Sequence, residues 1–383
     1  MMARRSSGRW ILELMLAAGV LVGRGTGAAQ DAPSIPPPAI NVPVPASPGG
    51  PIHTLHVYMN LEQIPVLVLS TSRERMKPVE PSKFRVSLDS GPLFKPTHVR
   101  VEGDDPISLA VLIDATKPRS ELLAKVEEAV AALADRSLKE QDRVSIYVMS
   151  CTLTRSAYNM PADPVRLRKA LEEGLWPSHE QQAKGRAARC KASFPLWDAM
   201  TYATLELRRQ PGWRVLLAVT DGEDQGSRNN WNQLKLLAQE GSVAVFGVSP
   251  TIDRPTRDLH TMQSSLLAAE ASNPFNPEDP FDTICQLSGG LQTFTGARNL
   301  GVALQRVIQM VHERYIVEYP RANNDTAGIR TIVVTLDHKD AYVRPTGNSI
   351  PVLDPKVLAD PTTLPSDPSN KPVIGNRRVL TPP

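Results

Sequence analysis

The chain has 383 residues, enough for one large domain and a smaller one, and its 41% hydrophobic content is that of a soluble globular protein. Its formal charge of +3 is matched by the first 29 residues, where Arg4, Arg5, Arg9 and Arg24 stand against Glu13, so the remainder is near neutral. A near-neutral body excludes nucleic-acid binding by phosphate neutralisation, and three cysteines without CxxC spacing exclude a disulfide scaffold.

Residues 1–29 read as an export signal: a basic start, an apolar run from Trp10 to Val22 and small residues ending at Ala28 or Ala29, either of which suits cleavage. A membrane anchor follows only if that signal stays uncleaved, which Glu13 in the apolar run leaves open. Localisation is expected to be secreted or periplasmic. Residues 30–52 are a proline-rich linker, with eight prolines between 32 and 51, and favour an extended spacer. From 53 to 104 short alternating strands, "HTLHVYM", "IPVLVLS", "FRVSLDS" and "THVRVEG", predict a small β module.

Residues 105–312 alternate between strands and helices. "ISLAVLID" is apolar throughout, as a parallel strand buried on both faces is. A helix with Leu122, Val126, Ala129, Val130 and Leu133 on one face follows, then the strand "DRVSIYVMS", a short helix over 163–173 and a basic loop with Lys184, Arg186, Arg189 and Lys191. "PLWDAMTYATLELRRQ" predicts a helix with Pro195 in its first turn, "WRVLLAVTDGED" a strand ending in acids, and a helix near 229–239 precedes the strand "SVAVFGVS". A long loop, the strand-like "GGLQTFTG" and a helix from 298 to about 313 complete an α/β domain: a doubly wound, mostly parallel sheet with helices on both faces. Residues 313–347 return to strands that pack with the N-terminal module, and 348–383 are a disordered proline-rich tail.

Asp114 and Asp221 both stand at carboxyl ends of strands, where open α/β sheets bind ligands. The order of "VLIDAT", "PLWDAM", "VTDGED", "LSGGLQTF", "RYIVEYP" and "VRPTG" resembles the von Willebrand factor A domain, and more closely the VWFA-related proteins of Acidobacteria, over most of residues 53–347. The resemblance implies protein binding in adhesion or assembly, and a metal-ion-dependent adhesion site for Mg²⁺ or Ca²⁺ built on Asp114, Thr116 and Asp221. That site is incomplete: Pro118 and Phe194 stand where the pattern has hydroxyls, and Ser193 substitutes only if its loop shifts by one residue. The expectation is therefore a degenerate site without a cofactor, in which Lys117 or Arg119 supplies positive charge. A metal-dependent interaction domain is the alternative.

Candidate binding residues are Asp114, Thr116, Lys117, Phe194 and Asp221, facing an envelope or extracellular protein partner that the sequence does not identify. Two of these and the basic loop have plainer readings: Asp221 as a turn residue, Phe194 as a core residue capping the sheet, the basic loop as a solvated face. Trp197, Trp213 and Cys285 read as packing, and Cys151 with Cys190 as a pair. No GxSxG, HExxH or Walker A segment occurs, so the expected class is non-enzymatic; an enzyme with an unrecognised site is a further alternative.

Overall fold

A computed structural model describes residues 61–117, 122–184, 192–250, 279–320, 328–338, 341–347 and 349–350. The export signal, the linker, the strand expected over 53–59, Pro118, Arg119, most of the basic loop, Cys190 and the rest of the tail lie outside the described residues, while Ser349 and Ile350, expected in the disordered tail, form a short strand paired with Gly328–Ile329.

The first strand, β1 (Leu61–Ser70), is followed by β2 (Phe84–Leu88), β3 (His98–Val101) and β4 (Ile107–Asp114). Then come α1 (Leu123–Arg136), β5 (Arg143–Met149), β6 (Leu153–Pro161), α2 (Pro164–Lys184), α3 (Leu196–Leu207), β7 (Trp213–Val219), α4 (Trp231–Glu240) and β8 (Val243–Pro250). After the undescribed stretch follow α5 (Pro280–Leu287), β9 (Gln292–Thr295), α6 (Leu300–His312), β10 (Tyr315–Pro320), β11 (Gly328–Ile329), β12 (Ile332–Leu336), β13 (Ala341–Pro345) and β14 (Ser349–Ile350).

Six strands form the central sheet in the order β6-β5-β4-β7-β8-β9, parallel except for β6 at one edge. This is the doubly wound, mostly parallel fold that the alternation predicts. Leu109, Val111 and Ile113 of β4 face one core with α1, α2 and α6; Ala110 and Leu112 face the other with α3, α4 and α5. Burial on both faces explains why this strand carries no polar alternation. The amphipathic face read for α1 is buried, as is that of α3, with Pro195 as the N-cap residue of α3 rather than inside its first turn.

Three further readings need correction. The helix expected over 163–173 runs to Lys184, so the start of the supposed basic loop is helical. Strand β6 and helix α5 were not predicted at all. The former is a half-exposed edge with register irregularities against β5; the latter has only eight residues, too few to show a helical period.

A second, antiparallel sheet has the order β13-β1-β10-β3, and β2 pairs with β12 across from it. Between them lie Ile64, Val66, Val68, Phe84, Val86, Val317, Tyr319 and Val334. The opposite face of β1 sends Leu67 and Leu69, with Tyr342 of β13, into the core built around β4 and α6. One strand thus belongs to both layers. Where the two layers meet, Arg314 forms a two-point ion pair with Glu102 (Nε to Oε2 2.8 Å, Nη2 to Oε1 3.1 Å), both side chains fully buried.

Cys151 is disulfide-bonded, while Cys285 is free and buried. Burial, with Asp282 and Asp279 adding to it, pushes the Cys285 thiol well up, which keeps it an inert core residue.

Candidate functional site

Strands β4 and β7 are neighbours at the centre of the sheet, and the chain leaves them toward opposite edges. Their carboxyl ends therefore border the crevice where doubly wound sheets place ligands. Asp114 closes β4, and Thr220 and Asp221 follow β7.

Asp114 is held from three directions. Its Oδ1 accepts the backbone N–H of Thr116 at 3.0 Å and the Thr116 hydroxyl at 2.6 Å, while Oδ2 accepts the hydroxyl of buried Thr220 at 2.8 Å. Burial pushes the Asp114 carboxyl above the usual carboxylate range; the hydrogen bonds from Thr116 and Thr220 oppose the rise and the charge of Asp221 adds to it.

Lys117, three residues on, reaches across to the β7 side. Its Nζ donates to Asp221 Oδ2 and, at 2.7 Å, to Glu223 Oε2. Asp221 Oδ1 accepts the backbone N–H of Glu223 at 3.0 Å, which closes the turn on itself. Partial burial lowers the Lys117 pKa, but the bonds to Asp221 and Glu223 outweigh it and raise the group above its ordinary value, so it stays an ammonium. The lysine side chain is 46% exposed, Asp221 14% and Glu223 62%, so Asp221 is the partner taken furthest from water. The turn needs Gly222: φ is +82°, and a Cβ there would come within 2.9 Å of Phe281 Cδ1.

The neighbouring acids are used internally. Asp224 accepts from Ser227 Oγ (2.5 Å), Ser227 N (2.9 Å), Gly226 N and Trp197 N (both 3.2 Å), which ties this loop to the start of α3. Asp198, from "PLWDAM", accepts from Asn229 N (3.0 Å), Asn229 Nδ2 (2.7 Å) and Arg228 N (3.1 Å) and fixes the entry to α4. Phe194 is half-buried against the core on the α3 side, and its N–H donates to Ser150 O at 2.7 Å. It extends the core rather than standing free in the loop.

Asp114, Thr116, Lys117 and Asp221 are therefore brought together, and Phe194 lies beside them without a described contact to the four. Thr220 and the role of Glu223 were missed by sequence reasoning; a hydroxyl residue directly after a buried strand was the available signal for the first.

The donor set does not fit a hard dication. Mg²⁺ and Ca²⁺ take several oxygen ligands, anionic ones foremost. Here Asp221 already holds an ammonium, Asp114 already accepts three hydrogen bonds from protein donors, and Phe194 offers no side-chain oxygen. Among the described residues no group of three or more His, Cys, Asp or Glu is arranged to hold a metal ion.

The shift at Asp114 gives a prediction. A carboxyl raised in the folded state binds its proton more tightly there than in the unfolded chain, so its contribution to stability is present at low pH and lost as pH rises through its folded pKa. Asp114→Asn removes that loss: its melting temperature relative to wild type should climb as pH goes from about 4 toward neutrality. A constant difference across that range would contradict the raised carboxyl.

No family model and no curated protein matches the chain. Solved structures do. The chain is similar to an aerotolerance-related membrane protein of Bacteroides fragilis NCTC 9343, at 16% identity over 54% of this chain and 98% of that one, TM-score 0.35. It is also similar to the manganese-loaded TRAP protein of Plasmodium vivax, at 13% identity over 66% and 96%, TM-score 0.34. With proximal thread matrix protein 1 from the mussel byssus it shares 11% identity over 58% of this chain, TM-score 0.38, and spans 50% of that protein's length.

Proposed function

We propose that this is an exported, non-enzymatic protein-interaction module, similar in kind to the VWFA-related proteins, which binds an envelope or extracellular partner at the carboxyl edge of its six-stranded sheet. In this reading the adhesion site has lost its dependence on metal. The observation that supports it is the Lys117 ammonium seated on Asp221 and Glu223, where a cation-dependent site needs its carboxylate free. The surrounding loops are pinned by Asp198 and Asp224 to rigid helix starts, and loops on a rigid scaffold commonly carry recognition. The alternative, a metal-dependent domain, draws its support from the convergence of Asp114, Thr116, Thr220 and Asp221 on one crevice.

Affinity capture from the native envelope separates the two readings. Glu223 is 62% exposed, so Glu223→Lys reverses an edge charge without disturbing the core. Capture by wild type should be unchanged by EDTA, and Glu223→Lys should weaken it at least tenfold. Loss of capture in EDTA would favour the metal-dependent reading, and full capture by Glu223→Lys would remove the edge from consideration.

A further inference from the structure

The acids at the sheet edge pose an electrostatic problem that is separate from any partner. Asp114 and Asp221 sit on adjacent strand ends, one held by Thr220 and the other immediately following it, and the charge of Asp221 raises the carboxyl of Asp114. Two partly desolvated carboxylates this close repel each other and need a counter-charge. In a cation-dependent site the metal supplies it. Here the residues do not fit a metal, and another group must.

We infer that Lys117 is a built-in counter-ion: its side chain occupies the electrostatic place of a metal, neutralises the Asp221–Glu223 turn and holds that turn in its folded shape. This deepens the reading of the same edge as metal-independent, but concerns the free chain and needs no partner.

Three observations carry it. Lys117 leaves the loop that follows Asp114 and crosses to residues 104 and 106 positions further on, so the contact joins the two strand ends that flank the crevice. The ammonium bonds two carboxylates at once, and Asp221 in turn receives the Glu223 N–H, so one charge organises the whole turn. A small open pocket of about 30 Å³ is lined by Asp114, Lys117, Thr220 and Asp221 with apolar Ile113 and Val219. The ammonium and both carboxylates thus border one crevice.

A lysine is suited to this work because its ammonium is a compact charge on a flexible stem with three donors, which can be shared between carboxylates that a rigid fork would not bridge. The cost is exposure: a pair open to solvent is worth little by itself, so the benefit comes from relieving Asp221 rather than from the Glu223 contact.

Thermal melting of the full chain tests the inference. Wild type should melt at the same temperature with MnCl₂ and with EDTA. Lys117→Met should lower the melting temperature by roughly 2 °C, the shift expected for a loss near the upper end for an exposed pair. Adding Asp221→Asn in the Lys117→Met background should restore at least half of that loss, because the charge in need of a counter-ion is gone. Three results would overturn the inference: Lys117→Met melting with wild type, no recovery in the double variant, or a Mn²⁺-dependent rise in wild type that Asp114→Asn abolishes. The same measurements are silent on partner capture, so failure here and failure of the binding reading are told apart.

Discussion

Glu102→Ala is expected to destabilise the protein by about 3–5 kcal/mol, the range for removing one member of a buried ion pair. Both Glu102 and Arg314 are fully buried, and two hydrogen bonds at 2.8 and 3.1 Å join them. Truncating the acid leaves a guanidinium without this counter-charge, and among the described residues Arg314 Nη1 has no hydrogen-bond partner even now. The backbone bond from Glu102 N–H to Arg314 O at 2.7 Å survives the substitution, so the strand register is kept while the charge is stranded. Urea unfolding should therefore show a lower midpoint with an unchanged slope. The double variant Glu102→Met with Arg314→Leu, which removes both charges, should regain most of the loss. A midpoint shift worth less than about 1 kcal/mol for Glu102→Ala would show that water or a neighbouring group compensates the arginine.

Deleting residues 314–383 should unfold the N-terminal strands, whereas deleting 351–383 should leave the melting temperature unchanged. Strand β10 lies between β1 and β3, β13 covers the other side of β1, and β12 is the partner of β2. The longer deletion removes Val317, Tyr319 and Val334 and uncovers Ile64, Val66, Val68, Phe84 and Val86. At about 1.5–3 kcal/mol for each buried apolar side chain, the loss is as large as the total stability of an ordinary domain, about 5–15 kcal/mol. Hydrogen exchange is the direct readout: amides of 61–70 and 98–101 should lose protection in the longer deletion only. Equal protection in both would refute the shared sheet.

How far the sequence discloses this arrangement depends on burial. Ile107–Asp114 is legible because a strand covered on both faces is apolar throughout, and α1 because fourteen residues display a full helical period. Strand β6 is not, since it is half solvated and its irregular register breaks the alternation that would reveal it. The end of α2 is polar and reads as a loop. At the site, Asp114, Thr116 and Asp221 are legible as strand-end residues. Lys117 was one of two candidates for supplying charge, and its choice of Asp221 and Glu223 was hidden. A flexible side chain's partner is fixed by which residues 104 or 106 positions away fold beside it, and no local pattern encodes that.

The double membership of β1 bears on how the chain acquires its structure. Gln63 donates to Glu318 across 255 positions of sequence, and Leu61 pairs with Pro320 in the same ladder. Contacts this remote are formed late and slow folding, because a long loop must close before they return any free energy. The first strand described cannot be seated until nearly all of the following chain is in place, so segments emerging early must wait unpaired. A chain that delays its closing step in this way keeps the hydrogen-bonding edges of β1 open until β10 and β13 have formed to cover them.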